Sequence, residues 1–167
     1  MVRKIEDFLK DQEFEANSTM KVLGALTDAS LSQRVTPEGR SLGFIAWHIA
    51  TSLSEMGGHA GLDVSVAKPD DPCPATAQEI AATYKRSAQA VRAAVEKAWT
   101  DEMLPEEISM YGQMWSRGVT LAALLAHEVH HRGQMTVLMR QAGLDVPGVY
   151  GPARQEWAAY GVPPPEL

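Results

Sequence analysis

Apolar residues recur every three or four positions through four long stretches of this chain, which is the spacing of one face of an α-helix. The first stretch begins near Ile5 and runs to the segment TDAS at 27–30. The second follows Ser41, a residue suited to cap a helix N-terminus, and ends at the Gly57-Gly58 pair. Both stretches predict amphipathic helices that bury their apolar face against other helices.

The third and fourth stretches carry signals at their ends as well. Thr76 followed by Glu79 matches a capping box, which predicts a third helix over about 77–99. The fourth helix is predicted over about 120–142, and Gly143 stands where a left-handed C-terminal cap belongs.

The connections between these helices lack a regular pattern. Residues 57–74 are rich in Gly, Pro and Asp and predict a loop, whereas proline and glycine break 100–118 and predict a crossover along the helices. A short helical piece is predicted around 152–160. No stretch shows the alternation and turn signals of a strand. The chain is therefore predicted to be all-α, a four-helix bundle with long crossover connections, in a single domain over 1–167.

Charge and composition limit the class of partner. The net charge is -6 and no cluster of Lys or Arg occurs, so neither a nucleic-acid surface nor an anionic membrane surface is predicted. The N-terminal residues are charged every few positions, and no apolar run is long enough to span a bilayer. The single cysteine, Cys73, excludes an internal disulfide framework and favours a reducing compartment. We therefore expect a cytoplasmic protein that acts on a small-molecule substrate, with Cys73 as a loop thiol.

The string HEVHH at 127–131 is the main candidate for chemistry. It satisfies H-E-x-x-H, the pattern of zinc proteases in which two histidines bind the metal and the glutamate activates water. Successive helical residues turn by about 100°, so His127 and His131 lie about 40° apart on the predicted inward face. His130 and Glu128 fall to either side of that pair. Burying two imidazoles costs free energy unless each finds a partner, and one divalent ion would satisfy both. The spacing therefore favours a metal bound by His127 and His131.

Two residues are candidates for a third ligand. Glu156 lies at the distance of the downstream glutamate of gluzincin proteases, so spacing alone does not exclude a protease. The sequence shows no strand of the kind on which those enzymes hold a peptide substrate. His48, beside the apolar stripe of the second helix, would complete a three-histidine site with an open coordination position, as in catalytic metal sites. His59, in a glycine-rich segment, is expected to be exposed to solvent.

Three longer segments carry a resemblance: WHIA at 47–50, MWSRGVTLAALLA at 114–126 and HEVHHRGQMTVLMRQAG at 127–143. Together they resemble the DinB-like family, also called the DinB/YfiT superfamily of small metal-binding four-helix bundles, and the resemblance covers most of the chain. Its most specific element is the run His-x3-His-Arg-Gly-Gln. In that family three histidines bind a divalent ion. By this resemblance the ligands are His48, His127 and His131, between helices two and four.

The resemblance also implies an activity. Characterised relatives include mycothiol-dependent maleylpyruvate isomerase and bacillithiol S-transferases, in which the metal can hold and deprotonate the thiol of a low-molecular-weight cofactor. Three imidazoles suit Zn or Ni, with Fe, Co or Mn as alternatives. The implied function is a divalent-metal-dependent S-transferase that joins a thiol to a small electrophile. Members of the family often form homodimers.

The reaction and the roles of the surrounding residues stay open, and no catalytic residue is assigned. Candidates for a place beside the ligands are Trp47, Glu128 and Gln134. Glu128 would be the general base of a protease, whereas in a helix bundle it would be a hydrogen-bond partner of the ligands or a solvated charge, which is the favoured interpretation. Further candidates for the pocket wall, for which core packing is the alternative, are Met114, Trp115 and Tyr150. The alternatives to thiol transfer are hydrolysis by metal-bound water and a non-catalytic role in which the ion stabilises the fold or acts as a sensor.

Overall fold

Four α-helices dominate the computed structural model, which describes residues 1–166. These helices are α1 (Ile5–Gly24), α2 (Leu42–His59), α3 (Ala77–Ala98) and α4 (Arg117–Gln141). Short 3-10 helices cover Asp28–Ser32, Asp101–Met103 and Arg154–Tyr160. The all-α prediction is confirmed in that the chain is mostly helical, and Leu167, the last residue of the predicted domain, lies outside the described residues. None of the helices in the described chain is both long and apolar enough to cross a membrane.

Side-chain caps begin three of the four helices. Ser41 Oγ accepts a hydrogen bond from the backbone N–H three residues on (3.1 Å), and Thr76 Oγ1 does the same (3.2 Å), which confirms both predicted caps. Ser116 Oγ caps α4 in the same way (3.2 Å). Helix α4 therefore begins at Arg117, and the predicted start at Thr120 is too late.

Each long helix packs against two others around one apolar core. Helices α1 and α2 each contact α3 and α4, so the four form a closed ring in the order α1, α3, α2, α4. Every helix contributes fully buried side chains, among them Phe8, Ile49, Ile80 and Met135. This arrangement sets one face of α2 against one face of α4, where the candidate site lies.

A β-hairpin replaces part of the predicted crossover between α3 and α4, so the prediction that the chain lacks strands is wrong here. Strand β1 (Glu107–Met110) pairs antiparallel with β2 (Gln113–Ser116). Tyr111 and Gly112 form the two-residue turn, with left-handed φ values of 51° and 80°, as a type I′ turn requires. Strands of four residues are too short to show an alternation, and Tyr-Gly is not a common signal for this turn.

Candidate metal centre

Three imidazoles from α2 and α4 meet between these helices. The candidate ligand atoms of His48, His127 and His131 all lie within 4.8 Å of one another. His127 and His131 are one helical turn apart, and their Nε2 atoms are 3.2 Å apart. The ring centre of His48 lies 5.1 Å from that of His127 and 4.7 Å from that of His131. The structure thus brings together the three histidines that the sequence predicts as ligands.

The chemistry of this donor set fits a divalent ion. Imidazole nitrogens bind zinc at about 2.0–2.1 Å, so two ligands of one ion stand at most about 4.2 Å apart. The 3.2 Å between the Nε2 atoms of His127 and His131 satisfies this limit, and the candidate ligand atoms of all three histidines lie within 4.8 Å of one another. Within residues 1–166 no cysteine or carboxylate joins the cluster. Three protein donors leave room for a further ligand, whereas closed structural zinc sites usually have four.

The surroundings of the cluster favour neutral imidazoles. Burial is the main cause that lowers the pKa of His48, His127 and His131, and for His127 the pKa falls from 6.5 to about 4. Neighbouring imidazoles and the charge of Arg40 lower these pKa values further. Neutral imidazole is the form that binds metals, so the three side chains are in their binding form at neutral pH.

Gln134 holds the ring of His131 in place. Its Oε1 atom lies 2.8 Å from His131 Nδ1, and an N–H donated there leaves the Nε2 lone pair of His131 directed towards His127. The amide nitrogen of Gln134 lies 3.1 Å from Nε2 of the exposed His130. Gln134 therefore contacts a candidate ligand directly, while His130 stands outside the cluster.

The remaining residues proposed for the pocket wall make their contacts elsewhere. Trp47 is buried, and its indole N–H donates to a carbonyl of the loop after α2 (3.0 Å). Trp115 and the exposed Met114 lie in β2 of the hairpin. Tyr150 stacks against Phe14 of α1, with ring centres 5.9 Å apart. As predicted, His59 is exposed, and it is the last residue of α2.

Glu128 turns away from the histidines and into the core. It is only 3% exposed, and its Oε1 accepts hydrogen bonds from Thr19 of α1 (2.7 Å) and from the hydroxyl of Tyr84 in α3. Burial raises the pKa of Glu128, although the bonds from Tyr84 and Thr19 act in the opposite direction. The carboxylate is therefore neither a solvated charge nor a base facing the imidazoles.

Glu156, the alternative third ligand, is also occupied elsewhere. Its carboxylate accepts the backbone N–H groups of Gly148 (3.0 Å) and Ala153 (2.8 Å), one on each oxygen. These bonds hold the turn before the last 3-10 helix. The structure therefore places neither glutamate of the protease interpretation beside the imidazoles.

A buried ion pair behind the cluster was not predicted. Arg132 is 2% exposed and donates to the carboxylate of Glu15 (2.6 Å), to Thr19 Oγ1 (3.1 Å) and to the hydroxyl of Tyr150 (2.8 Å). Because Thr19 also donates to Glu128, polar contacts run continuously between α1 and α4. The only sequence signal for this ion pair was an arginine inside the motif of α4. Its partners could not be predicted, because they lie far from it in the sequence.

One side of the cluster opens to solvent. Phe44 is 47% exposed and stacks against His48, with ring centres 6.2 Å apart. The guanidinium carbon of Arg40 lies 5.1 Å from the centre of the Phe44 ring. A cavity of about 510 Å³ lies beside Gln134, the partner of His131, and is lined by Arg40, Gln134 and apolar side chains. Its volume is that of a small-molecule site, for which about 300–1,000 Å³ is usual.

Comparisons with known proteins find close relatives of this chain. A family model described as the DinB family matches residues 1–166. The uncharacterized protein YrdA of Bacillus subtilis (strain 168) is 44% identical over 167 residues, which are 100% of both chains.

Two crystal structures share the fold. A DinB-like protein from Bacillus cereus ATCC 10987 has a TM-score of 0.86 and 43% identity, covering 90% of this chain and 100% of its own. The DinB-like protein YjoA from Bacillus subtilis has a TM-score of 0.68 and 20% identity, covering 86% of this chain and 97% of its own. At 20% identity, the similarity to YjoA supports a shared fold and nothing further.

Proposed function

This chain belongs to the DinB family, and we propose that it is a divalent-metal-dependent enzyme that transfers a low-molecular-weight thiol to a small electrophile. In this reaction the thiol sulfur bonds to an electrophilic carbon, the leaving group departs with its electron pair, and the thiol proton passes to solvent. One observation carries the proposal: three imidazoles favoured in their neutral form converge on one point beside an opening to solvent.

The side chains of the cluster have distinct roles in this proposal. His48, His127 and His131 hold the ion, with Zn or Ni expected and Fe, Co or Mn as alternatives. A divalent ion held by these histidines would lower the pKa of a bound thiol and so make a thiolate available at neutral pH. Gln134 keeps the ring of His131 oriented, and the opening beside Phe44 admits the reactants.

The contacts of Glu128 favour thiol transfer over hydrolysis. Hydrolysis commonly uses a carboxylate near the metal as a general base, and in the described chain no carboxylate joins the cluster. A thiol needs no such base, since its pKa is already much closer to neutrality than that of water. The open side and the set of three ligands argue against a purely structural ion.

We also propose that the four helices form the four-helix bundle of this family, in one domain over residues 1–167, with the ion between α2 and α4. The closed ring of helix contacts and the meeting of α2 with α4 at the histidines support this arrangement. A homodimer stays a prediction from the family, and light scattering coupled to size-exclusion chromatography would measure it.

Metal analysis of single-histidine variants tests the ligand set. We expect the purified protein to hold about one ion per chain, and the variants His48→Ala, His127→Ala and His131→Ala to lose it. His59→Ala is the matched control, because His59 is an exposed histidine outside the cluster. Metal retained in all three ligand variants would overturn the site.

A panel of thiols tests the reaction. The metal-loaded protein should convert a small electrophile only when a low-molecular-weight thiol is present, and the ligand variants should be inactive. Turnover in the absence of a thiol would show that the reaction is hydrolysis and not thiol transfer. A metal-loaded protein that is inactive with every thiol, yet unfolds readily in chelator, would instead support a stabilising role for the ion.

A further inference from the structure

Arg40 places an unpaired positive charge at the mouth of the histidine cluster. Its guanidinium stands over the ring of Phe44 (5.1 Å), and that ring stacks on His48 (6.2 Å). Among residues 1–166, no carboxylate oxygen lies within 4.0 Å of the Arg40 guanidinium, as is also true of exposed arginines such as Arg154; its place beside the histidine cluster sets Arg40 apart. An arginine without an acidic partner, beside a candidate metal site, can bind an anion supplied by a ligand.

Of the two cavities that Arg40 lines, the one on the side of Gln134 has the walls of a small-molecule site. Its lining includes Val35, Arg40, Ile45, Gln134, Val137 and Leu138. Val35 and Val137 are 67% and 55% exposed, so apolar surface faces the open space. Of the residues lining it in the described chain, Arg40 alone is charged. Gln134 joins this cavity to the cluster, because its amide oxygen lies 2.8 Å from His131.

We propose that Arg40 binds the carboxylate of a ligand whose apolar part lies in this cavity and whose reactive end reaches the three histidines. A guanidinium matches a carboxylate through two parallel hydrogen bonds, and the valine side chains offer contact to the carbon skeleton. The ligand class is therefore a small, partly apolar carboxylic acid.

Which reactant carries the carboxylate, the thiol cofactor or the electrophile, is a question that rests on the proposed function. Binding of the anion at Arg40 does not depend on thiol transfer. Arg40 then determines which ligands bind, and the reaction takes place at the three histidines.

Titration with an acid and its neutral isostere tests the anion subsite. The probes are benzoate and benzamide, added to isotope-labelled protein and followed by amide chemical shifts, with and without bound metal. We expect benzoate to bind about three- to tenfold more tightly than benzamide, the range of one hydrogen-bonded ion pair at a partly exposed site. This preference should disappear in Arg40→Gln. Arg154→Gln, which neutralises an exposed arginine of the last 3-10 helix, should keep it.

A second pair of probes identifies the source of the carboxylate. On metal-loaded protein, 3-mercaptopropionate is compared with 3-mercaptopropionamide. If Arg40→Gln removes the preference for the acid in this thiol pair, the cofactor carries the carboxylate. If Arg40→Gln removes the preference for the acid only in the benzoate pair, the electrophile carries the carboxylate.

Other results overturn the proposal. They are equal binding of acid and amide to the unsubstituted protein, a preference for the acid that survives Arg40→Gln, and an equal loss of preference in Arg154→Gln. An Arg40-dependent preference in metal-free protein that never catalyses transfer would contradict the proposed function and leave the anion subsite standing.

Discussion

At the scale of single residues, neighbours in the HEVHH string serve different parts of the molecule. His127 faces α2 and the histidine cluster, whereas Glu128 accepts hydrogen bonds from Thr19 and Tyr84 in the core. An advance of about 100° per helical residue separates the two side chains. The glutamate of an apparent protease motif is therefore a core acceptor.

Two substitutions of Glu128 separate these roles. Glu128→Gln keeps an oxygen acceptor for both hydroxyls, so we expect unchanged metal content and turnover and a loss of less than about 1 kcal/mol in the free energy of unfolding. Glu128→Ala leaves both hydroxyls without their acceptor and opens a cavity, which should cost about 2–4 kcal/mol. Urea denaturation measures both. Loss of turnover in the glutamine variant, at unchanged stability and metal content, would show that the carboxylate takes part in the reaction.

At the scale of elements, a close approach of backbones anchors the start of α4. The N–H of Val2 donates to the carbonyl of Gly118 (3.0 Å), and the N–H of Gly118 donates to the carbonyl of Leu104 (2.9 Å). A Cβ at position 118 would lie 2.3 Å from the carbonyl oxygen of Val2. A glycine is thus required for the N-terminal segment to dock against α4.

Two alanine substitutions in α4 test this contact. Gly118→Ala should displace the N-terminal segment and lower the free energy of unfolding by about 1–3 kcal/mol, as overpacking does. Gly133→Ala is the matched control, because no atom lies within 4 Å of its added Cβ. It should stabilise the protein by about 0.5–1 kcal/mol, the difference in helix propensity. An equal gain in both variants would show that the approach at Gly118 imposes no constraint.

The C-terminal segment should respond to acid through Glu156. Bonds from the N–H groups of Gly148 and Ala153 lower the pKa of this carboxyl below its ordinary value of 4.5. Because folding lowers the pKa of Glu156, its ionised carboxylate stabilises the folded C-terminal segment fully above pH 4.5. This stabilisation is lost as the pH falls through the lowered pKa. Hydrogen exchange and chemical shifts of the two amides against pH should report this loss. In Glu156→Gln the response should vanish, and an unchanged pH profile would contradict the assignment.

At the scale of the whole molecule, the histidine cluster joins α2 to α4 across the ring of helices. An ion bound only by the folded chain stabilises it by about 2.7 kcal/mol at a hundredfold excess over Kd. For a chain of this size the unfolding temperature should rise by roughly 5–10 °C on metal loading and fall back in chelator. His131→Ala should abolish the rise and His59→Ala should keep it, as calorimetry can measure. A similar rise in His131→Ala would place the stabilising ion elsewhere.

Much of this architecture follows from local patterns in the sequence. Helix extents and the caps at Ser41 and Thr76 depend on residues within a few positions of each other, and so does the shared face of His127 and His131. His48 was a candidate from its place beside the apolar stripe of helix two, and the resemblance to a family supported it, although no local pattern ties it to the other two histidines. The short hairpin was not predicted, because strands of four residues carry too little pattern to be distinguished from a loop.

The sequence by itself determined which residues share a helix face, since backbone geometry sets that spacing wherever the helix packs. Only the tertiary structure decided what each face meets. Glu128 became a core acceptor because α1 and α3 present Thr19 and Tyr84 to it, over sequence separations of 109 and 44 residues. Likewise Arg40 lies beside the cluster only because the start of α2 packs near Gln134 of α4. Contacts of this kind depend on which helices are neighbours, and packing of the whole core selects those neighbours.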